Sequence, residues 1–347
     1  MKTQKKIFSQ IIAWTLAVIA VLVCFVIAFW SGITSPLSSQ KNEVTQKIVV
    51  PQGSSVKKIA SDMKEKKLIR SKNAFYLSAR FNLYSKEKFT LKSGVYSIKS
   101  SMSVKEIYKI FQEGKQEIIS VSIPEGLTIS KIALLLEENG VCKAADFTAS
   151  AYNSKWTLKH GINSSSAEGF LFPDTYYFTA GMEADDVVER MTSVFFEKIK
   201  SIEGIDSYTP KQLFDLVCLA SIVEREYRVE DEAPLIASVF KNRLKINQGL
   251  QSCATIEYII TEIEGKPHPK RITYSDLEID SPYNTYKWAG LPPGPISNPG
   301  MIALNASVHP AKTDYRYFVL TDPQKGRHTF SKDFNSHVKA ENGYYTK

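Results

Sequence analysis

The sequence is poor in cysteine and histidine, and neither residue is arranged as a disulfide framework or a metal site requires. It contains four cysteines and five histidines among 347 residues. Cys24 lies in an apolar stretch, and the other three cysteines are isolated and lack C-x-x-C spacing. No two histidines form an HxxxH or HxH pair. We therefore predict no disulfide framework, no metal and no cofactor.

The sequence also lacks a basic stripe or a recognisable nucleic-acid motif, although its formal net charge is +8. Its lysines are spread through predicted helices and loops, so nucleic acid is not the predicted partner. A basic exterior of this kind would suit anionic polymers of the cell envelope or a membrane surface.

One stretch departs from the ordinary globular composition. Ile11 to Ile33 carries no charge and is long enough, at roughly 20 residues, to cross a bilayer as a helix. Three lysines precede it, namely Lys2, Lys5 and Lys6. Lysines on that flank favour a cytoplasmic N-terminus. We predict that residues 1–33 are a cytoplasmic tail and an uncleaved single-pass membrane anchor, with the rest of the chain extracytoplasmic. The alternative is a cleaved signal peptide, whose apolar region is usually only about 7 to 15 residues.

Residues 34–45 are predicted to be a polar linker, and a repeat begins after them. Val50-Pro51-Gln52-Gly53 and Ile123-Pro124-Glu125-Gly126 are each followed by an amphipathic helical pattern. Between the two copies, Ser103 opens a helix with Glu106 at capping-box spacing. Residues 46–150 therefore read as small α/β modules that resemble the LysM-like domains, which bind the glycan of peptidoglycan. The alternative is a spacer between the membrane and the next domain.

The strongest helical signal runs from Leu213 to Arg228. Thr209 and Pro210 are predicted to be its N-cap and first helical residue. The apolar run ends in two acids, Glu224 and Glu226, and either carboxylate could point from a buried face into a cleft. Periodicity does not choose between them, and both acids could simply end a core helix in solvent.

Two loop regions have unusual content. Ser164 to Tyr177 combines aromatic and acidic residues, which suits either a sugar platform or a structural turn between domains. Gly290 to Gly300 is rich in proline and glycine and carries polar side chains, as binding loops commonly do. Two predicted strands, Tyr317 to Leu320 and His328 to Ser331, follow near the end of the sequence.

These segments, taken together and in order, resemble the endolytic murein transglycosylases, the MltG or YceG-like family. The residues that carry the resemblance are Glu168-Gly169-Phe170-Leu171-Phe172-Pro173-Asp174-Thr175-Tyr176, Ala220-Ser221-Ile222-Val223-Glu224-Arg225-Glu226, Tyr283-Asn284-Thr285-Tyr286, Gly290-Leu291-Pro292-Pro293-Gly294, His309-Pro310-Ala311-Lys312 and His328-Thr329-Phe330. Two positions depart from the family pattern: Cys253-Ala254 replaces Asp-Pro, and Tyr227 replaces a smaller residue.

The resemblance implies an α+β fold in which residues 151–347 form a transglycosylase catalytic domain around the central helix. It implies cleavage of the β-1,4 bond between N-acetylmuramic acid and N-acetylglucosamine in nascent glycan strands, which leaves a 1,6-anhydro end. It also implies action beside the synthases that make those strands, so that strand elongation ends. A lysozyme-type muramidase and a non-catalytic, anchored peptidoglycan-binding scaffold are the alternatives.

The resemblance also implies the site residues. Related transglycosylases end a hydrophobic helical run with the catalytic Glu, which maps onto Glu226 in preference to Glu224. The predicted substrate contacts are Gln251, Tyr283, Asn284, Tyr286, Ser297 and Asn298, with the Pro292-Pro293 loop as a rigid wall.

Overall fold

The computed structural model describes residues 2–51, 53–116 and 118–345. The helices are α1 (Lys2–Thr34), α2 (Val56–Glu65), α3 (Lys72–Arg80), α4 (Val104–Glu113), α5 (Ile129–Glu138), α6 (Ala144–Ala151), α7 (Lys155–Leu158), α8 (Ala184–Lys198), α9 (Pro210–Glu226), α10 (Ala233–Lys245), α11 (Cys253–Tyr258), α12 (Met301–Val308) and α13 (Phe334–Tyr345). The strands are β1 (Thr45–Val50), β2 (Gly94–Lys99), β3 (Ile118–Ser122), β4 (Thr175–Thr179), β5 (Tyr317–Asp322) and β6 (Arg327–Ser331). The mixture confirms the α+β prediction.

The chain divides into two compact units. The first runs to Ile118 and includes Thr179–Gly181, and the second comprises Ile119–Phe178 and the chain from Met182 onward. The predicted module range, 46–150, therefore spans both units.

Helix α1 contains the predicted apolar stretch. Its segment Trp14–Thr34 has 21 residues, a mean hydropathy of 2.7 and no part buried by the rest of the chain. Length and composition suit a membrane-spanning helix, and a signal sequence near an N-terminus meets the same criteria. Lys2, Lys5 and Lys6 lie at the start of α1, where the side chains are outside the described residues.

The first unit is built on an antiparallel pair, in which β1 and β2 align from Thr45 opposite Lys99 to Val50 opposite Gly94. Helices α2 and α3 lie between these strands in the chain, and their apolar faces share a core with α4. The predicted capping box of Ser103 and Glu106 opens α4. Gln52, in the first repeat copy, lies outside the described residues.

The predicted linker, 34–45, is bonded to the first unit. The backbone N–H groups of Leu37 and Ser38 donate to the carbonyl of Ser100. The hydroxyl of the same serine accepts from the N–H of Val44. Because these bonds hold the segment at several points, it does not have the character of a free tether.

The second unit contains the second copy of the repeat. Strand β3 leads through the turn at Gly126 (φ 75°) into α5, and β3 pairs with β4. Phe147, Leu171 and Phe178 pack with α5 and α8 in one core. The second strand–turn–helix copy therefore belongs to the same unit as the central helix.

The central helix is α9, and it forms as predicted. Thr209 accepts from the N–H of Gln212, whose side chain in turn accepts from the N–H of Thr209, and Pro210 is the first helical residue. From Leu216 to Val223 every side chain is buried, and α9 packs against α10 and α12. Burial on all sides explains why the apolar pattern shows no polar face.

The end of the chain is more regular than predicted. Strands β5 and β6 pair antiparallel as expected, but α11 and α13 lie in regions where no helix was predicted. Helix α11 has only six residues, which is too few for a helical period to appear in the sequence.

Candidate active site

The two acids at the end of α9 have different surroundings. Glu224 accepts a hydrogen bond from the N–H of Gly300 at 2.9 Å and another from the hydroxyl of Tyr227 at 3.1 Å. Gly300 is the N-cap of α12. Glu224 therefore ties the end of α9 to the start of α12.

Glu226 instead lines a cavity of about 490 Å³. The end of α9, the start of α11 and the β5–β6 hairpin form its walls. The lining residues are Arg225, Glu226, Tyr227, Arg228, Cys253, Ala254, Glu257, Phe318, Val319, Leu320 and His328. Of Glu224 and Glu226, only Glu226 contributes to this lining.

Burial raises the pKa of several carboxyls here, so a raised pKa alone does not identify an acid catalyst. Burial raises the pKa of Glu226, which the hydrogen bond from Ser252 partly offsets. Burial also raises the pKa of Glu224 to about 7 and that of Glu168 to about 8. Position on the cavity is what distinguishes Glu226.

Ser252 holds the Glu226 carboxyl through a hydrogen bond from its Oγ to Oε1. The preceding residue, Gln251, has a left-handed backbone with φ 51°, which is uncommon for a residue other than glycine. Arg243 donates to the carbonyl of Leu250 at 2.6 Å, and the Oγ1 of Thr285 accepts from the N–H of Ser252 at 3.1 Å. The turn is thus fixed on both sides and aims Ser252 at the acid.

Two further side-chain pairs include residues of the cavity wall. Arg225 donates to Glu257 at 2.8 Å, so Glu257, and not Glu224, orients this guanidinium. The Nδ1 of His328 lies 2.7 Å from a carboxylate oxygen of Glu232, and both side chains are nearly inaccessible to solvent. Among the described residues, no cluster of His, Cys, Asp and Glu could hold a metal ion.

Three predicted contacts lie beside the acid or on the loops around it. The hydroxyl of Tyr286 is 3.1 Å from the Sγ of Cys253, which lines the cavity. Gln251 is exposed beside Ser252. Tyr283 is partly buried, and its ring packs at 5.1 Å from that of Tyr258.

Asn284 belongs to the framework. It is fully buried, and its amide donates to the carbonyls of Leu277 and Ile279. Its Oδ1 accepts from the N–H of Tyr286 at 2.9 Å. Both ends of the amide are therefore occupied, and Asn284 shapes the loop that carries Tyr286.

Ser297 and Asn298 are framework residues as well. The hydroxyl of Ser297 donates to the carbonyl of Ser221 on α9. The amide of Asn298 donates to the carbonyl of Leu127 and to Glu168, and its oxygen accepts from the N–H of Leu171. Neither residue lines the Glu226 cavity, because both are buried with their polar atoms bonded internally. The Pro292-Pro293 loop was predicted to form a rigid wall of the site. Pro293 lines a separate cavity, which Trp288 also lines.

The aromatic and acidic loop, Ser164 to Tyr177, has a structural role. Glu168, Phe170 and Phe172 are all buried, so they offer no platform to a sugar. Glu168 accepts from the N–H of Ile129, the first residue of α5. The loop therefore fixes α5 and the core, which is the structural-turn alternative.

Sequence reasoning assigned no role to four residues of this region. Ser252 bonds to Glu226, Glu257 and His328 line the cavity, and Glu232 contacts His328. The histidine belongs to a motif that carried the family resemblance, but nothing assigned it a role. Ser252 directly follows a predicted contact. The two glutamates carry no local sequence signal, because only the fold brings Glu257 to the cavity and Glu232 to His328.

A carboxyl with a raised pKa on an open cavity of an α+β fold is typical of an enzyme active site. Comparison with known proteins gives the family. The model of the YceG-like family matches residues 48–343, and the chain belongs to that family. The family predicted from the motifs is thereby confirmed.

Two named proteins and one solved structure are similar to this chain. A Bacillus subtilis protein named endolytic murein transglycosylase is 31% identical over 326 residues, covering 87% of this chain and 86% of the relative. A protein of the same name from Streptococcus pneumoniae serotype 2 is 28% identical, and the alignment covers 86% of this chain and 58% of that relative. A crystal structure of a yceG-like protein from Listeria monocytogenes matches with a TM-score of 0.56 and 30% identity, covering 86% of this chain and 99% of the other.

Proposed function

We propose that this chain is an endolytic lytic transglycosylase of peptidoglycan, with Glu226 as its catalytic acid and base. The substrate is a glycan strand, and the bond is the β-1,4 linkage from N-acetylmuramic acid to N-acetylglucosamine. Family membership and the name shared by the Bacillus and Streptococcus relatives support the activity.

The chemistry requires one carboxyl in two protonation states. Protonated Glu226 gives its proton to the glycosidic oxygen as the bond from C1 to that oxygen breaks. The muramyl C6 hydroxyl then attacks C1 and closes the 1,6-anhydro ring, and its proton returns to Glu226. No water is consumed, and the enzyme regains its starting state. The raised pKa of Glu226 suits the first step because it keeps the acid protonated nearer to neutral pH.

The observation that carries this assignment is the difference in surroundings between the two acids at the end of α9. Glu226 lines a cavity large enough for sugar rings, whereas Glu224 is bonded to the N-cap of α12 and to Tyr227. A glycosidic oxygen can reach a carboxyl only where the carboxyl opens onto such a space.

The matched variants Glu226→Gln and Glu224→Gln test the assignment. Glutamine preserves the shape of the side chain but delivers no proton, so Glu226→Gln should lower kcat by about 10²- to 10⁴-fold. Glu224→Gln retains an oxygen that accepts from Gly300 and should keep most of the activity. The measurement is release of muropeptides from purified sacculi by the full chain, with EDTA present. The reverse ranking of the two variants would move the catalytic role to Glu224.

Product mass separates this function from its two rivals. A 1,6-anhydro end is lighter by one water than the reducing end that a lysozyme-type muramidase leaves. A non-catalytic scaffold releases no product. Mass spectrometry of the wild-type digest therefore decides among the three.

We further propose that Gln251, Tyr283 and Tyr286 contact the bound glycan, while Asn284, Ser297 and Asn298 hold the loops that present it. The first unit is proposed to bind glycan as a LysM-like module, which its strand–helix–helix–strand order supports. Helix α1 is proposed to anchor the chain with its N-terminus in the cytoplasm. Action beside peptidoglycan synthases, ending strand elongation, would follow from that location.

A further inference from the structure

The buried pair of His328 and Glu232 has no part in the chemistry proposed so far. The side chain of His328 is 5% exposed and that of Glu232 is 4% exposed. The carboxylate lies 2.7 Å from Nδ1 of the ring and accepts the backbone N–H of the same histidine at 3.2 Å. A buried carboxylate that contacts one histidine at two points fixes the orientation of its ring.

This contact also determines what the ring presents to the cavity. When a carboxylate accepts from Nδ1, the neutral imidazole carries its proton there and leaves the lone pair of Nε2 free. Within the described part of the chain, Nε2 of His328 makes no hydrogen bond. The ring of Phe318 packs against that of His328 in a T-shaped arrangement, with 5.5 Å between centroids, which further limits the rotation of the histidine.

His328 lies near Glu226. Both residues line the same cavity, Glu226 at the end of α9 and His328 on β6.

Other polar groups on this wall are already engaged. The hydroxyl of Tyr227 donates to Glu224, and the guanidinium of Arg225 donates to Glu257. Arg228 offers only donors. Unlike these groups, Nε2 of His328 makes no hydrogen bond within the described part of the chain, and without a proton it can accept one.

The proposed reaction needs such an acceptor. While Glu226 still carries its proton, it cannot also receive the proton of the C6 hydroxyl. The hydroxyl needs another acceptor at that stage, so that a lone pair of its oxygen faces C1.

We propose, on the basis of the transglycosylase function above, that Nε2 of His328 accepts the hydrogen bond of the muramyl C6 hydroxyl and aims its oxygen at C1. Glu232 is the positioning residue that holds the ring for this contact. Once Glu226 has protonated the leaving oxygen, the hydroxyl oxygen bonds to C1 and its proton passes to the Glu226 carboxylate. His328 thereby favours attack by the sugar's own hydroxyl over attack by water.

The test is the ratio of anhydro ends to reducing ends, measured by mass spectrometry on isolated glycan strands digested by the full chain. His328→Phe keeps a ring against Phe318 and removes the acceptor. We expect kcat to fall about 100-fold, as for a misplaced reacting group, with KM changed less than about threefold. We expect the reducing-end fraction to rise at least about tenfold, because water then competes at C1.

Two more variants and a control sharpen the result. His328→Gln offers an amide oxygen and should restore part of the anhydro fraction, and Glu232→Gln should shift the ratio in the same direction as His328→Phe. Asp231→Asn removes the exposed ion pair with Arg327, whose guanidinium also lies 3.6 Å from Glu232. It leaves the contact between Glu232 and His328 in place and should leave the ratio unchanged.

Each outcome has a definite meaning. The product ratio is measured per bond cleaved, so it remains informative even if a variant is partly unfolded. An unchanged ratio in His328→Phe, with anhydro ends still formed by the wild type, overturns this inference alone. A wild type that forms no anhydro ends overturns the proposed function itself.

Discussion

At the scale of single residues, the site depends on which neighbours each carboxyl has. Glu224, Glu226 and Glu168 are all carboxyls whose pKa burial raises, yet their partners give them different roles. Backbone N–H groups hold Glu224 and Glu168, and these bonds stabilise helix starts. A side-chain hydroxyl holds Glu226 at the edge of a cavity, where a substrate can reach it.

The pH dependence of the reaction should report Glu226. The acid works only when protonated, so kcat/KM should fall as pH rises through its raised pKa. The Ser252 hydrogen bond stabilises the charged carboxylate and lowers that pKa. Ser252→Ala removes this donor, so the pKa should rise further and the high-pH limb should move to higher pH. Rates on isolated glycan strands, across mildly acidic to mildly alkaline buffers, provide the measurement.

Glu224→Gln is the control for this profile. Burial raises the pKa of Glu224 to about 7, inside the pH range of the assay, so a contribution from Glu224 would be visible in the profile. We expect its removal to leave the high-pH limb in place. A limb that moves in Glu224→Gln but stays fixed in Ser252→Ala would contradict the assignment.

At the scale of elements, the loop around Gly169 joins α9 to the proline-rich loop. Gly169 has φ +85°, and a Cβ there would lie 2.5 Å from Cγ of Pro295 and 2.7 Å from Cγ1 of Val217. Both contacts are tighter than carbon atoms tolerate. This glycine permits the close packing that positions the loop containing Ser297 and Asn298.

Gly169→Ala should therefore destabilise the second unit more than a matched substitution. Gly204 has a similar φ of +80°, but a Cβ there meets nothing within 4 Å. Gly204→Ala should lower the free energy of unfolding by about 1–2 kcal/mol, the cost of a left-handed backbone. Gly169→Ala should lower it by about 1–3 kcal/mol more, because of the added overpacking. Urea unfolding of the full chain in detergent measures both, and equal losses would show that packing at Gly169 is not tight.

At the scale of the whole molecule, the topology of the membrane segment determines where the site works. We predict that α1 is an uncleaved anchor with its N-terminus in the cytoplasm, because lysines precede the apolar segment Trp14–Thr34. The mature protein should then begin at the N-terminus of the encoded chain, as N-terminal sequencing or intact mass would show. Protease added to cells with an opened envelope should digest the C-terminal part. A mature protein that begins near Thr34, or a protected C-terminus, would contradict this topology.

The sequence by itself determined the long or capped elements and the family. Helix α9, the capping box at Ser103, the β5–β6 hairpin and the apolar segment of α1 all have signals within a short window, because caps, turns and periodicity are local.

The tertiary structure alone decided which acid faces the cavity. Glu224 and Glu226 are only two residues apart, and their roles depend on contacts with Gly300 and Ser252, which lie distant in the chain. The same holds for Asn284 and Asn298, whose loops resembled binding loops in composition. Their amides are bonded to backbone that only the folded chain brings close, and burial of that kind leaves no pattern in the sequence.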